Sequence, residues 1–145
     1  MTITGYHYSN DIFQTGQEFL PQHDHFDSLD PSQREAELAI RQGKLGAAEI
    51  RIGAVYVWRD EDWARAAYRL SKRKYLYEVE VEERDILHQA DLSHYTDTRD
   101  AINGGRSPNE HVRRYWAGEP HLPEHIKPRF EILARKVIFR SRLAP

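Results

Sequence analysis

The chain has 145 residues, of which 21 are basic and 23 acidic, a formal net charge of −2 and no cysteine. That length makes a single domain, 1–145, with enough chain to close one core. The charge balance demands neither a nucleic-acid nor a membrane partner, and no apolar run approaches the roughly 18 residues of a membrane span. Without cysteine there is no disulfide framework and no thiolate zinc site. That composition, with no basic-then-apolar signal pattern at the start, leads us to expect a cytoplasmic protein.

Ile3, Thr4, Tyr6 and Tyr8 favour an extended backbone, and Ser9-Asn10-Asp11 supplies turn chemistry. This places His7 near the end of a first strand, where its side chain can face a cleft. Phe13 to Leu20 reads as a turn into an extended segment, and Pro21 to Asp30 as a polar surface loop. His23, Asp24, His25 and Asp27 in that loop invite a metal reading, but the spacing places no further ligand and solvated loops collect such residues, so no metal is expected.

Asp30-Pro31 opens a helix, with a cap residue, proline at the first position and Glu35 following. It ends by Gly43, and its thin apolar content (Ala36, Leu38, Ala39, Ile40) predicts a surface position. Ile52 to Trp58 is β-branched and aromatic, a buried strand. Asp60 then caps a helix from Glu61 to about Lys72, with Trp63, Ala64, Ala66, Ala67 and Leu70 on its apolar face. Lys74 to Glu82 alternates apolar and charged residues, but Leu76, Val79 and Val81 cannot share one face, which predicts a bulge near Tyr77. Ile86 to Tyr95 reads as irregular, extended only at Ile86–Leu87. Thr98 to Asn103 reads as a short helix ending at Gly104-Gly105. Ser107-Pro108 starts another, with the stripe Val112, Tyr115 and Trp116, and Gly118 stops it. Residues 119–128 form a loop with one helical turn at Pro123–Ile126, and Arg129 to Arg142 is the last strand region.

Three strands thus carry candidate chemistry: His7, Tyr56 and Glu131. Each has an ordinary rival, a hydrogen-bonded strand histidine, a core tyrosine and a solvated strand glutamate. Four segments, in chain order, bear on the choice: Ile3-Thr4-Gly5-Tyr6-His7-Tyr8-Ser9-Asn10; Val55-Tyr56-Val57-Trp58 with the helix after it; Tyr75-Leu76-Tyr77-Glu78-Val79 with Ala90-Asp91-Leu92; and Arg129-Phe130-Glu131-Ile132-Leu133. Together they resemble the ADP-ribosyltransferases of the His–Tyr–Glu type, a superfamily that includes diphtheria-toxin-like, rifamycin-modifying and DNA-directed toxin members.

The resemblance implies an α+β fold: a split, mostly antiparallel β-sheet pair around an NAD cleft, with peripheral helices. It implies transfer of ADP-ribose from NAD, used as substrate and without metal, to a protein, nucleic acid or small molecule, with release of nicotinamide. His7 would hold the nicotinamide-side ribose, with Tyr6, Tyr8 and Ser9 beside it on the NAD-binding strand. Tyr56 would stack on nicotinamide. Glu131 would stabilise the positive charge that grows on the sugar or deprotonate the acceptor. Asp91 is the alternative acid and a further NAD contact, and Arg106 could hold the pyrophosphate. If they converge, Arg106, Arg113, Arg114 and Arg129 make a basic patch favouring an anionic acceptor or NAD phosphates. A toxin would also need a neutralising partner. An NAD glycohydrolase and a non-catalytic binding module on the same fold are the competing readings.

Overall fold

The structure, a computed structural model, describes residues 1–21, 24–121 and 127–145. In chain order its elements are β1 (Thr2–Ser9), β2 (Glu18–Phe19), α1 (Pro31–Arg41), α2 (Ala47–Ile52), β3 (Val55–Trp58), α3 (Glu61–Ser71), β4 (Tyr75–Glu82), β5 (Ile86–Asp91), α4 (Leu92–Asn103), α5 (Asn109–Ala117), β6 (Phe130–Ala134) and β7 (Val137–Ala144). The strands form one antiparallel sheet in the order β2-β7-β4-β1-β3-β6-β5. The architecture is mixed α/β, as expected at the level of class. Among the described residues no helix is long and apolar enough to cross a membrane.

There is one sheet and not the expected pair, with a single narrow junction. β1 pairs with β4 along its whole length, from Thr2↔Glu82 to Ser9↔Tyr75, but it meets β3 at a single position, Tyr6↔Trp58. Gly5 permits that one approach, because a Cβ there would run into the Val57 side chain. Beyond Tyr6 the two strands part. The ring of His7 takes the place of the missing rung, with Nδ1 2.8 Å from the Tyr56 carbonyl oxygen.

The main core gathers Val55, Val57, Val79, Val81, Ile132, Val137 and Phe139, with Phe13 and Phe19 packed against it. Full burial of such side chains contributes about 1.5–3 kcal/mol each. The expected irregularity near Tyr77 is there: the β4–β7 register shifts between Leu76 and Tyr77, and again between Glu78 and Val79. Those shifts let Leu76 and Tyr77, adjacent in sequence, both be buried. A second core of Ile40, Ala90, Val112 and Tyr115 joins α1, β5 and α5. Gly118, in the left-handed region at φ +71, ends α5 as its position predicts.

Several local expectations need correction. Ile52 ends the helix α2 rather than starting a strand, and β3 begins at Val55. Ile86 to Tyr95 is regular: β5, then the start of α4, capped by Asp91 and running on through the predicted short helix to Asn103. α1 is not superficial, since Ala36, Glu37 and Ile40 are buried. Leu70 is 84% exposed, off the packed face of α3. The last strand region is two strands, β6 and β7. The helical turn expected at Pro123–Ile126 lies outside the described residues, as does His23.

Candidate functional site

The parting of β1 from β3 opens a cleft of about 560 Å³, within the range of roughly 300–1,000 Å³ typical of small-molecule sites. His7, Tyr8 and Ser9 of β1, Tyr56 of β3 and Glu131 of β6 all line it, together with Arg51, His25, Arg73 and Tyr95. β1, β3 and β6 are neighbours in the sheet, so residues more than a hundred positions apart reach one hollow. A second hollow of about 320 Å³, beside β7, is lined by Phe13, Tyr77, Phe139, Arg140 and Arg142 and contains no acid or histidine.

Behind the cleft wall runs a buried chain of charges. Arg51 is 3% exposed and Glu37 fully buried. The guanidinium forks onto Glu37, with Nε 2.9 Å from Oε2 and Nη2 2.5 Å from Oε1. Its Nη1 donates to Glu131 Oε1 at 3.0 Å and to the Tyr115 hydroxyl at 2.7 Å. The Tyr115 hydroxyl in turn donates to Glu131 Oε1 at 2.7 Å. Glu37 also accepts from Arg41 Nε at 2.9 Å and from the Tyr95 hydroxyl at 3.1 Å. The rings of Tyr56, Tyr95 and Tyr115 surround the Arg51 guanidinium at 4.8, 5.3 and 5.7 Å, each within cation–π range.

This network splits two carboxylates of like type. Burial works to raise the Glu37 pKa, but the hydrogen bonds and charge of Arg51 and Arg41 outweigh it and hold Glu37 at about 2. Burial and the nearby Glu37 charge raise Glu131 above the ordinary glutamate value, against the pull of Arg51 and Tyr115. Both hydrogen bonds to Glu131 end on Oε1. Among the described residues Oε2 has no partner, and the side chain keeps 8% of its surface on the cleft wall. A carboxylate with one oxygen anchored and the other open is placed to meet a developing cation or take a proton.

His7 is anchored in a complementary way. A carbonyl oxygen can only accept, so Nδ1 carries the hydrogen in its bond to Tyr56. Burial lowers the His7 pKa, opposed by that carbonyl and assisted by Arg73. The ring is therefore neutral near pH 7, and Nε2 offers a lone pair suited to a hydroxyl donor. Tyr56 is fixed from below, its hydroxyl donating to the Arg51 carbonyl at 2.5 Å. Besides the guanidinium, His25 packs against its ring at 4.7 Å and a 74° interplanar angle.

Three expected site residues lie elsewhere. Tyr6 does not line the cleft: it shares a sheet face with its register partners Trp58 and Glu78, and burial with the charges of Glu61 and Glu78 raises its pKa. Asp91 is fully buried and caps α4; it accepts from the backbone N–H groups of Ser93 and His121 at 2.9 Å each and of Arg129 at 3.4 Å. Its oxygens hold backbone together and do not line the cleft. Arg106 sits past the end of α4, donating to the Asp100 carbonyl. The proposed basic patch does not assemble: Arg113 and Arg114 pair with Glu110 and Glu119, while Arg129 holds Ser93 and Thr96. Within the polar loop, Asp24 pairs with Arg41 and His25 packs on the Tyr56 ring. Outside the cleft, ligand atoms of His94, Asp97 and His121 lie within 4.8 Å of one another.

Arg51, Glu37 and Arg73 were not anticipated. Arg73 lines the cleft, and its guanidinium has no carboxylate partner among the described residues. No protein-family model matches the chain, and no curated protein matches it.

Proposed function

We propose that the chain transfers ADP-ribose from NAD to an acceptor, on an ADP-ribosyltransferase-like fold whose split sheet forms the NAD cleft. The observation that carries this reading is the open Oε2 of Glu131 in the same cleft as the free Nε2 side of His7 and the ring of Tyr56.

In this reading His7 Nε2 accepts from a hydroxyl of the nicotinamide-side ribose and fixes the sugar. Tyr56 offers its ring to the nicotinamide once His25 moves aside. Arg73, rather than Arg106, meets the pyrophosphate with charge-assisted hydrogen bonds. The bond from ribose C1′ to the nicotinamide nitrogen breaks, and its electron pair stays on that nitrogen. The acceptor forms the new bond to C1′ and gives its proton to Glu131. Positive charge gathers on the sugar in between, and the ionised Glu131 faces it. Arg51 holds the carboxyl group still from the opposite side.

The test is nicotinamide release from NAD by the purified chain, wild type beside Glu131→Gln. Glutamine keeps an oxygen for Arg51 and Tyr115 but removes the charge, so turnover should fall by about 10²–10⁴-fold with NAD binding retained. Full turnover in Glu131→Gln would sink the assignment. Label carried from NAD onto a macromolecule supports transfer; label recovered only as free ADP-ribose means that water is the acceptor.

A further inference from the structure

We propose that His94, Asp97 and His121 form a binding site for a divalent transition metal of the zinc, cobalt or nickel class. His94 and Asp97 are three positions apart on α4 and so share one face of the helix. His121 is brought to them by the backbone: its N–H donates to Asp91 Oδ2 at 2.9 Å. One ligand atom from each of the three side chains then falls within 4.8 Å of the others.

The second observation concerns His94 alone. The residue is fully buried. Its Nε2 lies 2.8 Å from the Glu119 carbonyl, so Nε2 carries the hydrogen and Nδ1 is left as a lone pair. Among the described residues that buried Nδ1 has no hydrogen-bond partner. An unsatisfied buried acceptor opposes folding. A metal ion would satisfy it. Metal-binding histidines are held in this way, with the far nitrogen donating to a carbonyl or carboxylate.

The rest of the set fits. Asp97 Oδ2 is 2.6 Å from His121 Nε2, a pair that an ion would open and bridge. His111 Nδ1, also buried without a partner, stands 3.9 Å from the same Asp97 oxygen and could supply a further nitrogen. Two or three imidazoles and one carboxylate suit zinc and its neighbours, whereas magnesium and calcium prefer oxygen throughout. Tetrahedral zinc needs its ligand atoms roughly 3.3 Å apart. Asp97 and His121 are 34% and 30% exposed at the side chain, free enough to adjust. The site ties α4 to the segment that leads into β6, and it stands independently of the transferase reading.

The full chain, stripped of metal, is titrated with Zn(II) and with Co(II), following heat of binding, Co(II) ligand-field absorption and melting temperature. One ion per chain is expected, with a nitrogen-and-oxygen Co(II) spectrum and a raised melting temperature. Asp97→Asn and His121→Gln should each weaken binding by at least about tenfold; both positions are partly exposed, and Asp97→Asn keeps the shape of the side chain. His25→Gln, in the histidine-bearing loop, should leave the affinity for Zn(II) and the Co(II) spectrum unchanged. Absence of saturable binding, unchanged affinity in both variants, or loss of binding in His25→Gln would each overturn the proposal.

Discussion

Arg51 neutralises two carboxylates that are shielded from water, and this sets what its loss does. Arg51→Met leaves Glu37 and Glu131 buried without their main counter-charge and should destabilise the fold by about 3–5 kcal/mol, read as a drop in the urea midpoint. Arg51→Lys should rescue little, because an ammonium cannot reproduce the forked contact. Tyr115→Phe removes one donor from Glu131 Oε1. That hydrogen bond lowers the Glu131 pKa, so its removal raises it further. If Glu131 must be ionised to act, the acidic limb of the pH profile for nicotinamide release moves to higher pH in Tyr115→Phe; a limb left in place would show that Glu131 does not set it. His7, Tyr56 and Glu131 were legible in the sequence because each is a chemically distinctive residue in a short strand-forming segment. Arg51 was not, since its partners stand 14, 64 and 80 positions away and no local pattern ties them together.

Elements meet most delicately where β1 touches β3. Gly5→Ala forces a methyl group against Val57 and should cost about 1–3 kcal/mol, seen in the denaturation midpoint, with weaker NAD binding if the cleft is the NAD site. Asp91 is the other joint, holding α4, His121 and the entry to β6 through backbone N–H groups. Asp91→Ala should lose more than the about 0.5–2 kcal/mol of a simple cap, while Asp91→Asn should retain turnover, which separates a structural acid from a catalytic one. The strands were readable where β-branched and aromatic residues dominate, as in Val55–Trp58 and Val79–Val81. β5 was not, because Ile86-Leu87-His88-Gln89-Ala90-Asp91 is too polar to look like a strand. Its His88 is accommodated by Trp116 at 4.8 Å and the Tyr115 carbonyl, both supplied by α5. α2 has only six residues and no side-chain cap, so it depends on the tertiary contacts of Arg51 rather than on local propensity.

For the molecule as a whole, acid should act in two stages. Burial places the folded pKa values of His7, His25 and His88 below the ordinary 6.5. The unfolded chain therefore takes up protons first, and stability present above about pH 6.5 declines as pH falls through that value towards the folded ones. Glu37, held at about 2 against an ordinary 4.5, adds a second loss as pH drops below 4.5 towards 2. Glu131 works the other way, its raised value favouring the fold at lower pH and giving that up as pH climbs. Melting temperature should thus fall from pH 6.5 downwards, most steeply below 4.5; a flat profile across that interval would show that the buried network is not charged as described. If the cleft takes NAD, as proposed, the ligand should raise the melting temperature by mass action, with about 2.7 kcal/mol gained at a hundred times the dissociation constant. The outer margin of β7 bears on behaviour in crowded solution. The stretch before and including β2 seals it, with Gly16 N–H donating to the Phe139 carbonyl at 2.7 Å and Phe139 N–H to the Gln17 carbonyl at 2.9 Å. Past that cover, Arg140 and Arg142 put positive charge on the uncovered end of the strand, which discourages an incoming chain from pairing with this rim.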